Sequence, residues 1–237
     1  NSRAVTLTIN DVAPTVTSGA TASVGENVPA GTTVYTATAT DPAGGTLTYS
    51  LTGADAGLLT INATTGVVTI NASPDFEAKS SYSFNVVASD GSLSSSQAVT
   101  LIVTNVNEAP TVTSSAAVSV NEGVAAGSSV YSATGADPDA STALSYSLSG
   151  ADAGAFSINA STGVVTINAS PNYEAKSSYS FNVVASDGSL TNSRAVTLTI
   201  NDVAPTVTSA TTASEAENVA AGTTVYTATA TDPAGGA

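Results

Sequence analysis

The 237-residue sequence contains no cysteine, methionine, tryptophan or histidine. Without cysteine there is no disulfide framework and no thiolate metal site. Without histidine as well, the nitrogen and sulfur ligands that favour zinc are missing. Positive charge is nearly absent: Arg3, Lys79, Lys176 and Arg194 stand against 18 acidic residues, for a formal net charge of −14. Such a surface repels nucleic-acid phosphates and anionic lipid, which excludes both as partners. No apolar run approaches the length of a membrane span, so no direct membrane insertion of this segment is expected. An initiator methionine and a signal peptide are missing too, and both ends fall inside a repeated unit. The sequence reads as a window of a longer chain whose targeting signals lie elsewhere.

What is abundant is Val, Thr, Ser and Ala, written in tandem. Pro14-Thr15-Val16-Thr17-Ser18 recurs 96 positions later at Pro110-Thr111-Val112-Thr113-Ser114, and 95 further on at Pro205-Thr206-Val207-Thr208-Ser209. A fixed period of this size means stacked modules, each long enough for its own modest core. The boundaries follow: 1–13 is the last strand of a preceding repeat, 14–109 and 110–204 are complete repeats, and 205–237 begins a further, truncated one. Residues 1–13 reproduce 192–204 letter for letter, and Ala221–Gly236 matches Ala30–Gly45. The third copy thus follows the first more closely than the second, a superperiod of 191 residues.

Within a repeat the hydrophobic period is two, and no segment offers helical spacing. Tyr82, Phe84, Val86 and Ala88 alternate with Ser81, Ser83, Asn85 and Val87, and Leu47, Tyr49 and Leu51, and Val99, Leu101 and Val103, show the same period. Leu59/Ile61 and Val68/Ile70 flank Ala63-Thr64-Thr65-Gly66, a hairpin turn in which Gly66 supplies a positive φ. Val34–Ala39 makes another strand, and Thr15–Val24 a split first one. The second repeat has the same pattern in Phe156/Ile158, Val165/Ile167 and Tyr179/Phe181/Val183/Ala185. Seven short strands per repeat predict an all-β chain of two-sheet sandwiches.

The acidic residues collect at strand ends and repeat ends. Asp41 closes the strand Val34–Ala39 and Asp90 the strand Tyr82–Ala88, while Glu108 lies in the acidic joint Asn105-Val106-Asn107-Glu108-Ala109-Pro110. Several oxygens converging from loops suit a hard divalent cation such as Ca²⁺.

The order of these motifs is specific. Glu26-Asn27-Val28-Pro29-Ala30-Gly31, Ala39-Thr40-Asp41, Asp75-Phe76-Glu77, Ala88-Ser89-Asp90 and the joint at 105–110 resemble the calcium motifs of a cadherin repeat, and the set recurs in the second repeat. The Asn-Glu-Ala-Pro joint is most similar to the cadherin-like tandem repeats of large bacterial surface adhesins. The resemblance implies seven-stranded Greek-key sandwiches joined end to end, with calcium between consecutive repeats stiffening the array. Carried over residue by residue, it assigns the central joint Glu26, Asp75 and Glu77, then Asn105, Asn107 and Glu108, then Asp137, Asp139 and Asp187. The upper joint receives Asp11, Asp41 and Asp90, and the lower one Glu122, Glu174, Asp202 and Asp232. Departures from the pattern predict weaker outer joints. Ala43 and Ala234 stand where Asp139 completes an Asp-x-Asp pair, Asn172 replaces the first Asp of Asp-x-Glu, and the linker to Pro205 is two residues shorter.

Other residues receive plainer readings. Asp55 and Asp152 are turn residues of Gly-Ala-Asp-Ala-Gly loops, Glu215 is a surface residue, and Lys79 and Lys176 are local charge compensation. The Asn-x-Ser/Thr sequons at Asn62, Asn71, Asn159 and Asn168 are weak signals in a chain this rich in Ser and Thr. An enzyme is not expected, since only paired carboxylates remain for acid–base chemistry and the cation motifs already absorb them. Two functions stay in view. One is a structural extender of a long extracellular or cell-surface adhesin or fibre, whose partners are neighbouring repeats. The other is an adhesive module making homophilic contacts through lateral β-edges, or glycan contacts. The absence of tryptophan weighs against the second, while Thr- and Ser-rich edges would still allow other copies of the chain to pair in a fibre.

Overall fold

The computed structural model describes residues 2–139 and 143–235. The chain divides into two compact units, Asn1–Asn107 and Glu108–Ala237.

In the first unit the strands are β1 (Thr15–Val16), β2 (Thr21–Gly25), β3 (Thr33–Thr36), β4 (Ala39–Thr40), β5 (Thr48–Thr52), β6 (Leu59–Ile61), β7 (Val67–Ile70), β8 (Ser81–Ser89) and β9 (Ser94–Thr104). One sheet has the order β2-β9-β8-β5 and the other β3-β7-β6, while β1 pairs with β4. With the interrupted strands β1/β2 and β3/β4 each counted once, this is the seven-stranded sandwich read from the alternation. The first strand is split because its halves pair differently: β1 runs antiparallel to β4, and β2 runs parallel to β9 in the larger sheet. The crossing is pinned where Tyr35 donates its hydroxyl to Gly19 O (2.6 Å) and Gln97 donates Nε2 to Ser18 O (2.8 Å).

The period-two pattern places Phe84, Val86 and Ala88 of β8 and Val99, Leu101 and Val103 of β9 inside, opposite Val34, Leu59, Val68 and Ile70. Tyr35 meets Phe84 edge to face, with ring centroids 6.0 Å apart. The expected hairpin joins β6 to β7 in the register Ile61↔Val68. Its turn is closed by Asn62 Oδ1, which accepts from the Thr64 and Thr65 amides, and Gly66 has φ 71°.

The second unit repeats this plan with β10 (Thr111–Val112), β11 (Ala117–Asn121), β12 (Ser129–Ser132), β13 (Gly135–Ala136), β14 (Ser145–Ser149), β15 (Phe156–Ile158), β16 (Val164–Ile167), β17 (Ser178–Ser186) and β18 (Thr191–Asn201). Its sheets have the orders β11-β18-β17-β14 and β12-β16-β15, around Phe156, Val165, Ile167, Phe181, Val183, Val196, Leu198 and Ile200. Beyond it, β19 (Thr206–Val207) pairs with β20 (Ala230–Thr231).

Residues 2–13 carry no strand, although 193–204 carry the same letters and include most of β18. Val5, Leu7 and Ile9 are 89%, 83% and 87% exposed, whereas Val196, Leu198 and Ile200 are at most 1% exposed. An extended segment becomes a strand only where neighbours take its backbone hydrogen bonds and cover its apolar face.

Candidate metal centres

Two carboxylates that follow the parallel strands are buried. Glu26 comes directly after β2 and Glu122 directly after β11, and each is 3% exposed. Both are drawn inward by the same bonding scheme. Glu26 Oε2 accepts from the Phe76 amide and Oε1 from the Val106 amide, both at 2.7 Å. Glu122 accepts likewise from Tyr173 (2.9 Å) and Val203 (2.8 Å). One side chain thereby ties the loop before β8, or before β17, to the segment that leaves the repeat.

The next residue turns sharply. Asn27 has φ 62° and donates its amide to Pro74 O (3.0 Å), while Gly123 has φ 75° and donates to Pro171 O (3.0 Å). Asn and Gly are the residues that adopt this left-handed conformation most readily.

Around each buried glutamate two further carboxylates converge. Oxygens of Glu26, Asp75 and Glu77 lie within 4.8 Å of one another, and so do those of Glu122, Glu174 and Asp202. Asp75 and Glu77 flank Phe76, whose ring packs against the core, so the two acids project outward from an anchored loop. The clusters differ by a compensating exchange. Asp75 and Asn105 become Asn172 and Asp202, each 97 positions on. The third carboxylate of the group moves from loop to linker and the count is kept.

At the opposite ends of the repeats the acids organise turns. Asp41 Oδ1 accepts from the Ala43 amide (2.8 Å), Asp137 Oδ1 from Asp139 (2.9 Å) and Asp232 Oδ1 from Ala234 (3.0 Å). Asp139 is buried and its Oδ2 accepts from the Glu108 amide (2.8 Å), fastening the linker end to that turn. Asp90 Oδ1 accepts from Ser92 and Leu93, and Asp187 Oδ1 from Ser189 and Leu190. The Leu93 and Ser92 amides hold the Asp90 carboxyl below its ordinary value. The second oxygens of Asp90 and Asp137 are buried and accept no hydrogen bond from the described residues. Among those residues the two groups above are the only triads of converging acids; Asp11, Asp41 and Asp90 form none. Among the described residues Asp11 accepts from the adjacent Val12 amide, on the exposed segment before β1.

The residues read as plain turn acids have a larger part than their letters suggest. Asp55 Oδ2 accepts from the Ser83 amide (2.7 Å) and its Oδ1 pairs with Lys79 (3.1 Å), whose Nζ also lies 5.3 Å from the Tyr82 ring centroid. Asp152, Lys176, Ser180 and Tyr179 repeat this arrangement. The charge compensation expected of the lysines is thus directed to Asp55 and Asp152. The sequence signal was the co-repetition of Gly-Ala-Asp-Ala-Gly and Lys at one spacing.

The Ser83 amide, followed by Lys79, holds Asp55 below its ordinary 3.8; Lys176, followed by the Ser180 amide, does the same for Asp152. A carboxyl with a depressed folded pKa contributes stability that is present above its unfolded pKa and lost as pH falls through the folded one. Acid loss of this contribution should therefore lie below pH 3.8. Melting curves from pH 5 to 2 should show that the Asp55→Asn, Asp152→Asn double variant closes its gap to the parent at the acid end. A gap that stays constant with pH would exclude the linkage.

Comparison with known proteins gives a consistent picture. A protein-family model described as "Cadherin domain" matches residues 20–106 and 116–201. Protocadherin Fat 4 of mouse is 36% identical over 225 residues, covering 90% of this chain and 4% of the relative. Mouse cadherin EGF LAG seven-pass G-type receptor 3 is 36% identical over 207 residues, covering 82% of this chain and 6% of the relative. The chain thus spans a small fraction of the curated relatives it matches. Among solved structures, mouse cadherin-23 EC22-24 superposes with a TM-score of 0.64 at 26% identity, covering 94% of this chain and 78% of that one. Human protocadherin-24 EC1-2 gives 0.66 at 23% identity, covering 81% and 100%. These relatives are mammalian; the likeness to bacterial adhesins rests on the linker letters alone.

Proposed function

Since the chain belongs to the cadherin domain family, we propose that it is an extracellular structural segment whose repeats are stiffened by calcium bound at their joints. The observation that carries this reading is the pair of buried glutamates, Glu26 and Glu122, each held by two backbone amides with two more carboxylates converging on it. Three carboxylates this close repel one another, and a divalent cation turns that repulsion into attraction. The donors fit a hard ion: they are carboxylate and amide oxygens, with no thiolate or imidazole in the chain. The buried second oxygen of Asp137 is a further acceptor that a cation would satisfy.

In this reading Glu26, Asp75 and Glu77 hold calcium at the central joint with Asn105, Asn107 and Glu108 of the linker and Asp137, Asp139 and Asp187 of the next repeat. Glu122, Glu174 and Asp202 hold it at the lower joint beside Asp232, and Asp11, Asp41 and Asp90 serve the upper one. Bound calcium supplies positive charge and directional oxygen coordination; the chain supplies the fixed turns and loops that carry the oxygens. The repeats give length, the joints give direction, and no step of the reading calls for catalysis.

The test is the thermal melt and solution scattering of this chain with excess calcium and with chelator. At a hundredfold excess over Kd, calcium stabilises by about 2.7 kcal/mol, which raises the Tm of a domain this size by on the order of ten degrees. Calcium should also lengthen the molecule, and the Asp137→Ala, Asp139→Ala double variant should lose the lengthening. If neither Tm nor length responds, the joints are not metal-built.

A further inference from the structure

The base of the second repeat also touches the segment that follows it. Asn172 donates Nδ2 to the carbonyl of Ala234 at 3.2 Å, while its Oδ1 accepts from the Ala175 amide at 2.7 Å. Beside it, Gly123 lies directly under Pro233. A Cβ built on Gly123 would stand 2.7 Å from Pro233 Cβ and 3.1 Å from the Pro233 carbonyl carbon and oxygen. We propose that Gly123 and Asn172 form a docking seat for the Asp232-Pro233-Ala234-Gly235 turn of the next repeat, a direct contact that fixes this joint with or without the calcium its acids bind and leaves metal-dependent stiffening to the central joint.

The exchange of acids described above is what makes the seat possible. Of the Asp and Asn that the two repeats carry at this position, only the amide can donate to a carbonyl; a carboxylate there would face the Ala234 oxygen with like partial charge. Moving the third carboxylate to Asp202 frees position 172 for this role without reducing the cluster. The letters of the other joints divide accordingly. The first repeat has Asp75 and Asn27 at the equivalent positions, and the repeat after it presents Asp139 where Ala234 stands. An Asp75 base therefore precedes an Asp-x-Asp turn, and an Asn172 base precedes an Asp-x-Ala turn. The upper joint shares the linker and turn letters of the second kind, with Asn10-Asp11-Val12-Ala13-Pro14 identical to 201–205 and Ala43 in the turn. Within this chain the two joints thus differ in chemistry: the letters of the central one are crowded with acid, while the lower one is closed by a neutral hydrogen bond over a glycine.

The seat is tested by spin labels on cysteines placed at the exposed Ser161 and Thr206 of the whole chain, which has no cysteine of its own. The expected result is one narrow distance peak, the same in calcium and in chelator. Asn172→Asp keeps the Oδ1 acceptor and removes the donor, so the peak should broaden in chelator. Gly123→Asn keeps the left-handed backbone, which Asn27 and Asn218 adopt at the same place (φ 62° and 65°), and removes only the space. It should broaden the peak in both conditions. A parent peak that narrows only with calcium, a parent distribution broad throughout, or an Asn172→Asp peak that stays narrow in chelator would each overturn the proposal. Calorimetric calcium titration of the same chain reports the metal reading separately, so either can fail alone.

Discussion

Replacing Glu26 by alanine will lower the melting temperature of the first repeat by on the order of ten degrees in chelator, and leave the second repeat's transition in place. The side chain accepts two backbone hydrogen bonds, from Phe76 on one loop and Val106 on the outgoing segment. Hydrogen bonds to a charged acceptor contribute roughly 1.5–3 kcal/mol each, and their loss strands two amides beside the core. Relief of a buried charge offsets part of this, for a net loss of about 2–4 kcal/mol. Glu26→Gln separates the terms: it keeps the volume, but its single carbonyl oxygen can serve only one of the two amides, so the loss should be intermediate. Both variants should also lose the calcium response of the first unit. An alanine variant that melts with the parent in chelator would show that this carboxylate does not tie the loop to the linker.

Gly66→Ala should disrupt the smaller sheet of the first repeat. Its φ of 71° is uncomfortable for a side chain, but space is the larger problem: a Cβ there would stand 2.3 Å from the backbone oxygen of Ala37. Ala37 also donates its amide to Gly66 O at 2.8 Å, so the two segments cannot separate without breaking that bond. Strain and overpacking together put the cost at on the order of 4 kcal/mol. Gly66→Asn is the informative companion, because asparagine tolerates the dihedral and still carries the Cβ. Denaturant unfolding should find the two variants equally destabilised; a clear rescue by asparagine would assign the cost to the dihedral. Gly163, which faces Ala133 in the same way, should repeat the result in the second unit.

Much of the sandwich was legible because a strand with one buried face writes its period into the letters. Phe84, Val86 and Ala88 needed no coordinates to be placed inside together. The split of the first strand was legible too, but its cause was not: β1 and β2 bond to different partners, and pairing between distant segments leaves no local mark. Among the site residues, Asp-x-Glu and the glutamate after β2 could be read as motifs, yet nothing in the letters says that Glu26 is buried and accepts two amides from loops 50 and 80 residues away. Asn172 shows the limit most clearly. As a letter it is a weakened ligand; in place it is a hydrogen-bond donor with an acceptor opposite.

The sequence by itself determined that this is a tandem array, that each repeat is a β-sandwich, and that its acids gather at repeat ends. Those properties follow from period, composition and order, which are local. Tertiary structure decided which segments become strands and which acids converge. The letters of 2–13 are those of 193–204, but Val196, Leu198 and Ile200 lie inside a sandwich while Val5, Leu7 and Ile9 face water. The physical reason is that a strand's hydrogen bonds and its buried face both belong to its neighbours, so the same residues fold only where those neighbours stand beside them.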